Sequence, residues 1–461
     1  MKKERNIALY FLISIIAVLF VSMLVLCGLY LDLRINGISS SLPDIPEKDK
    51  WILTETANDT GNSTEYLITP SFIGFKTKEN GMIAAIPDYS PRKSLITRLD
   101  KCLPELFSGK GEHINFKNEA EKEEFIKSVT NSESFFYVAY YGEIPSAAIL
   151  PSANIDNSML MVTENFYIQY MFILPDPDDN MYAVCFDKDM EAVVLTPEKS
   201  IAYSENNFFA YNGVSGFVEF EFVSDLYPEP LYTESFDANS VMMVPSSSFY
   251  DFKLYEDSTK QLLKVLGFNT NMVKTFRSGD NTTATFVDEG KELYVSIKNS
   301  TISYNGYDSG IHMSDILKYE PQNDGYTFSD TVLCVKYLIG LLDRVIVGGD
   351  ASATLVGIRK DKDGIYFDLK YFYNGIMLNE NASDITVRIK GDYIKDIDIN
   401  AVFCVGGAFK KPVIPQKLAM TVLGEEGSGN VRYNAAFSDS GETSSYELVW
   451  IARREVEEHV S

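Results

Sequence analysis

Few side chains in this sequence have the types and spacing that chemistry requires. The most suggestive set is Asp176, Asp178, Asp179 and Asn180, with Asp187 at the twelfth position counting from Asp176. Oxygen donors at such intervals suit calcium, and Asp176, Asp178, Asn180 and Asp187 are the candidate ligands. Against that, Met181 stands where a calcium loop needs Gly, residues 182–186 read as a strand, and the twelfth position is Asp rather than Glu. A solvated acidic hairpin turn accounts for the same residues, so no metal site is expected. The three histidines, His113, His312 and His459, have no metal-ligating neighbour at i+3 to i+5, and no Cys-x-x-Cys pair occurs.

Nucleophile and phosphate motifs are equally scarce. No G-x-S-x-G, Walker or H-E-x-x-H string is present. Ser90 to Lys93 spells S-x-x-K and Ser204 to Asn206 spells S-x-N, but the Lys-Thr-Gly strand of a penicillin-binding fold is missing. Glu219 and Glu221 share a strand face, where a carboxylate pair could do acid–base work. A charged, solvent-facing edge is the simpler reading. The expectation is a protein without catalytic activity and without a cofactor.

The element that positions everything else is the apolar run over residues 7–31, which contains no Asp, Glu, Lys or Arg. At about 1.5 Å per residue it makes a helix of roughly 37 Å, enough to cross a ~30 Å hydrocarbon core with some tilt. Lys2, Lys3 and Arg5 precede it, which keeps residues 1–6 in the cytoplasm and places the rest outside. A cleaved signal would have a shorter core and a small-x-small site, and only Ser39 to Ser41 approach one. Cys27 lacks the Gly or Ala before it that a lipoprotein signal needs. Within the run, Ser14, Ala17, Val21, Leu24 and Gly28 recur at steps of three and four, a seam on which a partner helix could pack closely. Any apolar span also contains a few small residues.

The formal net charge is −24, so the exterior repels phosphate backbones and nucleic acid is not an expected partner. With 45% hydrophobic and 13% aromatic residues, the exterior can build substantial cores. Cys102, Cys185, Cys334 and Cys404 are too widely spaced for a disulfide framework, and Cys334 and Cys404 read as buried thiols.

Residues 32–50 form a polar juxtamembrane linker. Residues 51–231 read as an α+β domain. Ser90 and Pro91 open a helix through Leu95, Leu99 and Leu103, and Asn118 with Glu121 has capping-box spacing for a second. Strand-like runs lie at 135–141, 166–174, 182–186 and 216–222, and Pro228 and Pro230 mark a boundary. Residues 232–325 hold a helix ending at Gly267, then a meander at 284–288, 293–298 and 301–304. Residues 326–461 repeat that layout. A helix with N-cap Ser329, stapled by Phe328 and Leu333, breaks at Gly348-Gly349, and strands follow at 353–359, 365–373, 384–390 and 393–400. A last strand carries Tyr446, Leu448 and Trp450. The expected fold is therefore α+β. It has an N-terminal transmembrane helix and about three exterior domains, the last two each a helix on an antiparallel β-meander.

The stretch from Leu262 to Tyr304, with its Leu-Gly-Phe-Asn helix end, Met272-Val273, Gly290 and Leu293, resembles the YycH and YycI regulators of Gram-positive bacteria. The order of Ser329, Gly348-Gly349 and the Tyr371 to Gly375 turn resembles them too. The length resembles that of the longer, YycH-like member, and Asp350 and Ala351 follow the double glycine where the family tends to carry Trp, as expected of a divergent member. The resemblance covers the anchor and about residues 241–450. It implies an extracytoplasmic protein that restrains a membrane sensor histidine kinase controlling cell-wall metabolism, through its transmembrane helix and beside a YycI-like companion. The alternative is a single-pass surface domain that binds a cell-wall ligand or a divalent cation.

Overall fold

A computed structural model describes residues 67–452, apart from 80, 88, 153–165, 204–215, 244–255, 308, 322–324, 347–350, 374, 379–382, 403, 424–430 and 440–443. The expected span at 7–31, the linker, and the Gly348-Gly349 break lie outside the described residues. Among those described, no helix is long and apolar enough to cross a membrane.

The fold is mixed α+β with antiparallel sheets. The first sheet comprises β1 (Phe72–Thr77), β2 (Gly81–Ala85), β3 (Lys110–His113), β4 (Phe135–Pro145), β5 (Tyr167–Pro175), β6 (Met181–Phe186), β7 (Ala192–Thr196), β8 (Phe217–Ser224) and β9 (Tyr227–Tyr232), in the order β3-β7-β6-β5-β4-β1-β2-β8-β9. Both of its faces are covered. Helix α1 (Ser90–Phe107) sends Leu95, Leu99 and Leu103 against Phe136, Val138 and Ile173 on one side. Helix α2 (Glu119–Thr130) packs Ile126 and Val129 over Phe135, Tyr137 and Phe172 on the other. Double burial explains why the β4 sequence is continuously apolar rather than alternating. The face under α2 is densely aromatic, with Tyr137 and Phe172 centroids 4.8 Å apart and Phe72 edge-on to Phe220 at 4.9 Å. Pro228 and Pro230 sit inside the edge strand β9, where a missing N–H costs no ladder bond. The chain leaves this sheet directly after them.

A four-stranded sheet follows, in the order β21-β10-β23-β22, from β10 (Phe236–Met243), β21 (Cys404–Val413), β22 (Val431–Asp439) and β23 (Ser444–Ala452). The third sheet has ten strands: β11 (Lys274–Arg277), β12 (Thr283–Asp288), β13 (Lys291–Ser296), β14 (Thr301–Asn305), β15 (Ile311–His312), β16 (Ala351–Asp361), β17 (Gly364–Tyr373), β18 (Ile376–Met377), β19 (Ile385–Lys390) and β20 (Tyr393–Asn400). Its main path is β11-β12-β13-β14-β20-β19-β17-β16. The two meanders read from the sequence are thus joined edge to edge by β14 and β20, with Thr301 opposite Asn400. Helices α4 (Glu256–Val265), α5 (Met313–Leu317) and α6 (Phe328–Ile346) belong to the core of this part. Leu262, Leu266, Val335, Leu338 and Leu342 cluster there with Leu293, Val295, Ile397 and Ile399. Helix α3 (Ser146–Ser152) packs on α6 from the first sheet's side.

Sheets one and three touch where β4 meets β16. Leu355 N donates to Leu67 O at 2.8 Å, and the Tyr141 and Phe372 rings lie 4.6 Å apart. A Cβ on Gly142 would stand 2.3 Å from Val356 O, so only glycine permits this approach. Each strand carries a bulge at the crossing.

One helix start differs from expectation. The N-terminus of α6 is closed by Thr327, not Ser329. Thr327 N and Oγ1 both donate to Asp330 Oδ2 at 2.7 Å, and Asp330 N donates back to Thr327 Oγ1 at 3.2 Å. A Thr-x-x-Asp box therefore sits two residues upstream of the expected cap. Asp330→Ala is expected to cost about 1 kcal/mol, read as a lower urea midpoint at unchanged slope.

Candidate functional site

The acidic set divides between the two ends of one strand. Asp176 lies in the β5–β6 turn, where Oδ1 accepts from Asp178 N and Asn180 N at 2.8 Å, and Oδ2 accepts from the Asn180 amide at 3.2 Å. These bonds hold the Asp176 carboxyl below the usual range. Asp187 opens the β6–β7 turn instead and accepts from Asp189 N and Glu191 N at 2.9 Å. The six residues of β6 separate the two turns by roughly 20 Å at ~3.3 Å per residue. Asp187 is therefore not brought together with Asp176, Asp178 and Asn180. Among the described residues, no group of three or more His, Cys, Asp or Glu is disposed to hold a metal ion.

The remaining sequence-singled residues are dispersed. Ser90 and Lys93 are exposed on the first turn of α1. Glu219 is exposed on β8, with Glu221 half-buried two residues on. His113 is exposed on β3, its ring edge-on to Phe166. His312 caps α5, its Nδ1 accepting from Ser314 N at 3.3 Å, and its ring meets Tyr393 at 4.9 Å. Cys185 and Cys334 are buried thiols, pushed up in pKa by burial, while Cys102 is half-buried and raised to about 11. His459, Ser204 and the seam residues Ser14, Ala17, Val21, Leu24 and Gly28 lie outside the described residues.

Two features were not singled out in the sequence. The first is an open edge. All four residues of β11, at the end of the ten-stranded sheet, are exposed. Phe276 on that strand is 60% exposed, and Met272 just before it and Tyr294 two strands in are exposed as well. Cross-strand register places Phe276 opposite Thr285 and Thr285 opposite Tyr294, so Phe276 and Tyr294 share the solvent face. Large exposed aromatics beside a strand edge that is unpaired among the described residues suit contact with another protein.

The second is a cavity of about 90 Å³ where the first sheet meets the β17–β18 turn and helix α7 (Gln416–Leu423). Ser71, Tyr141, Gln169, Glu229, Tyr232 and Gly375 are among the residues lining it. Behind this wall lies Arg92, only 5% exposed. Its Nη2 donates to Pro70 O and, at 3.4 Å, to Ser71 O. Its Nη1 is buried with no hydrogen-bond partner among the described residues. Gly375, at φ +87°, lies so close that a Cβ there would stand 2.9–3.0 Å from the guanidinium. Tyr141 Oη donates to Gly375 O at 2.9 Å and fixes that turn. Burial lowers the Arg92 pKa, with Tyr232 and Tyr141 as its electrostatic neighbours. A sequence signal for it existed: position 92 is in helical phase with Leu95, Ile96, Leu99 and Leu103, and a charge on an apolar stripe is anomalous.

No family model matches the chain, and no curated protein does. Among solved structures, an uncharacterized protein from Eubacterium rectale is similar over 47% of this chain and 76% of its own, at 12% identity and a TM-score of 0.31.

Proposed function

We propose that this chain is a single-pass, extracytoplasmic regulatory protein that restrains a two-component sensor histidine kinase controlling cell-wall metabolism, with a YycI-like protein as companion. On this reading residues 7–31 are its transmembrane helix. On the same reading the exterior comprises three domains, at 51–231, 232–325 and 326–461, with the antiparallel meanders of the last two joined edge to edge in one sheet. The observation that carries the reading is the edge of the ten-stranded sheet, unpaired among the described residues, where Phe276, Tyr294 and Met272 offer a partner apolar contact. The YycH-like order of motifs along 262–375 and the apolar N-terminal run add to it.

The mechanism is a population shift. Contacts that favour the kinase's inactive arrangement by 1–3 kcal/mol change its activity several-fold or more. The test is capture of the kinase by the full chain from mild detergent after co-expression. The wild-type chain is expected to retain the kinase, and Phe276→Asp with Tyr294→Asp is expected to lower recovery at least fivefold. Absence of the kinase from the wild-type capture overturns the proposal. Ala17→Leu with Gly28→Leu reports on the helix seam: unchanged capture removes the seam from the mechanism while leaving the exterior contact.

A further inference from the structure

Arg92 is a cation in an unfavourable place. It stands in the first turn of α1, at the positive end of the helix dipole, and that turn contains no acidic residue. Its guanidinium is buried against backbone carbonyls and tyrosines, and among the described residues no carboxylate pairs with it. A buried charge without a counter-charge is destabilising, and a bound anion would relieve that cost.

The neighbouring cavity is the place for that group. Ser71, Tyr141, Tyr232 and Gly375 line it and also surround the guanidinium. At about 90 Å³ it far exceeds the ~10–15 Å³ one water needs. The Tyr232 side chain lines this cavity and is largely buried, at 7% exposure. We propose that this cavity binds a small monocarboxylate, which accepts a hydrogen bond from the Tyr232 hydroxyl and takes Arg92 as its counter-charge. One cation balances one negative charge. Glu229 in the same wall repels any anion, and a phosphate dianion twice as strongly as a carboxylate, so the lower charge is the better tolerated. The site joins the first sheet, the β17–β18 turn and α7, so occupancy would tie three parts of the fold together.

The test is thermal unfolding of the full chain in an uncharged detergent at pH 7, in chloride, acetate, N-acetylalanine or phosphate at equal ionic strength. Acetate is expected to raise the midpoint in a saturable way relative to chloride, and phosphate is not. Tyr232→Phe is expected to move the half-saturating acetate concentration up about tenfold or more, and Arg92→Gln to abolish the response. Tyr232→Phe removes one oxygen and decides the matter even where Arg92→Gln does not fold. A greater response to N-acetylalanine than to acetate assigns the ligand to a peptide carboxyl end, and the reverse order assigns it to a free small acid. Equal midpoints in acetate and chloride, a larger response to phosphate, or a Tyr232→Phe response identical to wild type overturns the proposal.

Discussion

Leu338→Ala is expected to lower the unfolding free energy by about 2–5 kcal/mol, the largest loss anticipated for any single truncation named here. Leu338 is fully buried near the middle of α6, between Val335 and Leu342 on the same face. That helix packs against α3, α4 and α5, so a cavity there is felt by elements contributed from both the first and the third sheet regions. Close packing leaves little room for collapse around the missing methyl groups, which puts the cost above the transfer term alone. Urea unfolding of the full chain in detergent checks it: the midpoint falls at unchanged slope. A loss under 1 kcal/mol would mean that α6 is not the keystone its burial suggests.

The second large effect is a pH dependence carried by the same helix. Lys336 is only 4% exposed, its ammonium donates to Ser152 O, and burial lowers its pKa to about 8 while Asp100 pulls the other way. The unfolded chain holds that proton up to about 10.5, so between the two values the unfolded state binds a proton that the fold does not. The stabilisation is therefore complete above about 10.5 and lost as pH falls through 8, a swing of about 3 kcal/mol at most. Asp343, one heptad along, behaves oppositely. Burial raises its carboxyl to about 7, so its contribution is complete below its ordinary value near 4 and lost as pH rises through 7. Together they set a stability trough between pH 7 and 8. The difference in stability between Lys336→Met and wild type is expected to favour the variant most below pH 8 and to shrink as pH approaches 10.5. Parallel pH curves for the two proteins would remove Lys336 from the account.

Much of the chain was legible where local pattern and burial agreed. Asn118 and Glu121 do cap α2: the Asn118 side chain accepts from Glu121 N at 3.0 Å, although Glu121 reaches back to Lys117 N rather than to the cap residue. The alternating run from Ile365 to Tyr373 is β17, and Tyr371 and Tyr373 are core. Asp368 and Phe372 on the opposite phase are buried too, because Arg359 covers the former and Tyr141 the latter. Other elements gave weak local signals. The β1–β2 hairpin carries Gly74, Lys76 and Gly81 among its apolar residues, and β21 contains Gly406, Gly407 and Pro412. Their pairing comes from distant partners, as Phe236 opposite Val413 shows. The cap of α6 falls at Thr327 and not Ser329 because the reciprocal Thr327–Asp330 hydrogen bonds close the helix start, a side-chain exchange that the Phe328–Leu333 staple does not reveal. The helical phase of Arg92 marks it as buried, but its partners Pro70, Tyr232 and Gly375 are joined by no spacing rule and come only with the fold.

Because β14 finds its neighbour in β20, the ten-stranded sheet is completed only when a segment about a hundred residues further along the chain arrives. A ribosome releasing this polypeptide exposes the apolar meander of residues 283–305 first and must then synthesise all of α6 and the β16–β19 ribbon before that edge is closed. Such long-range closure slows folding and leaves a sticky strand open meanwhile, so the topology itself favours chaperone protection during synthesis.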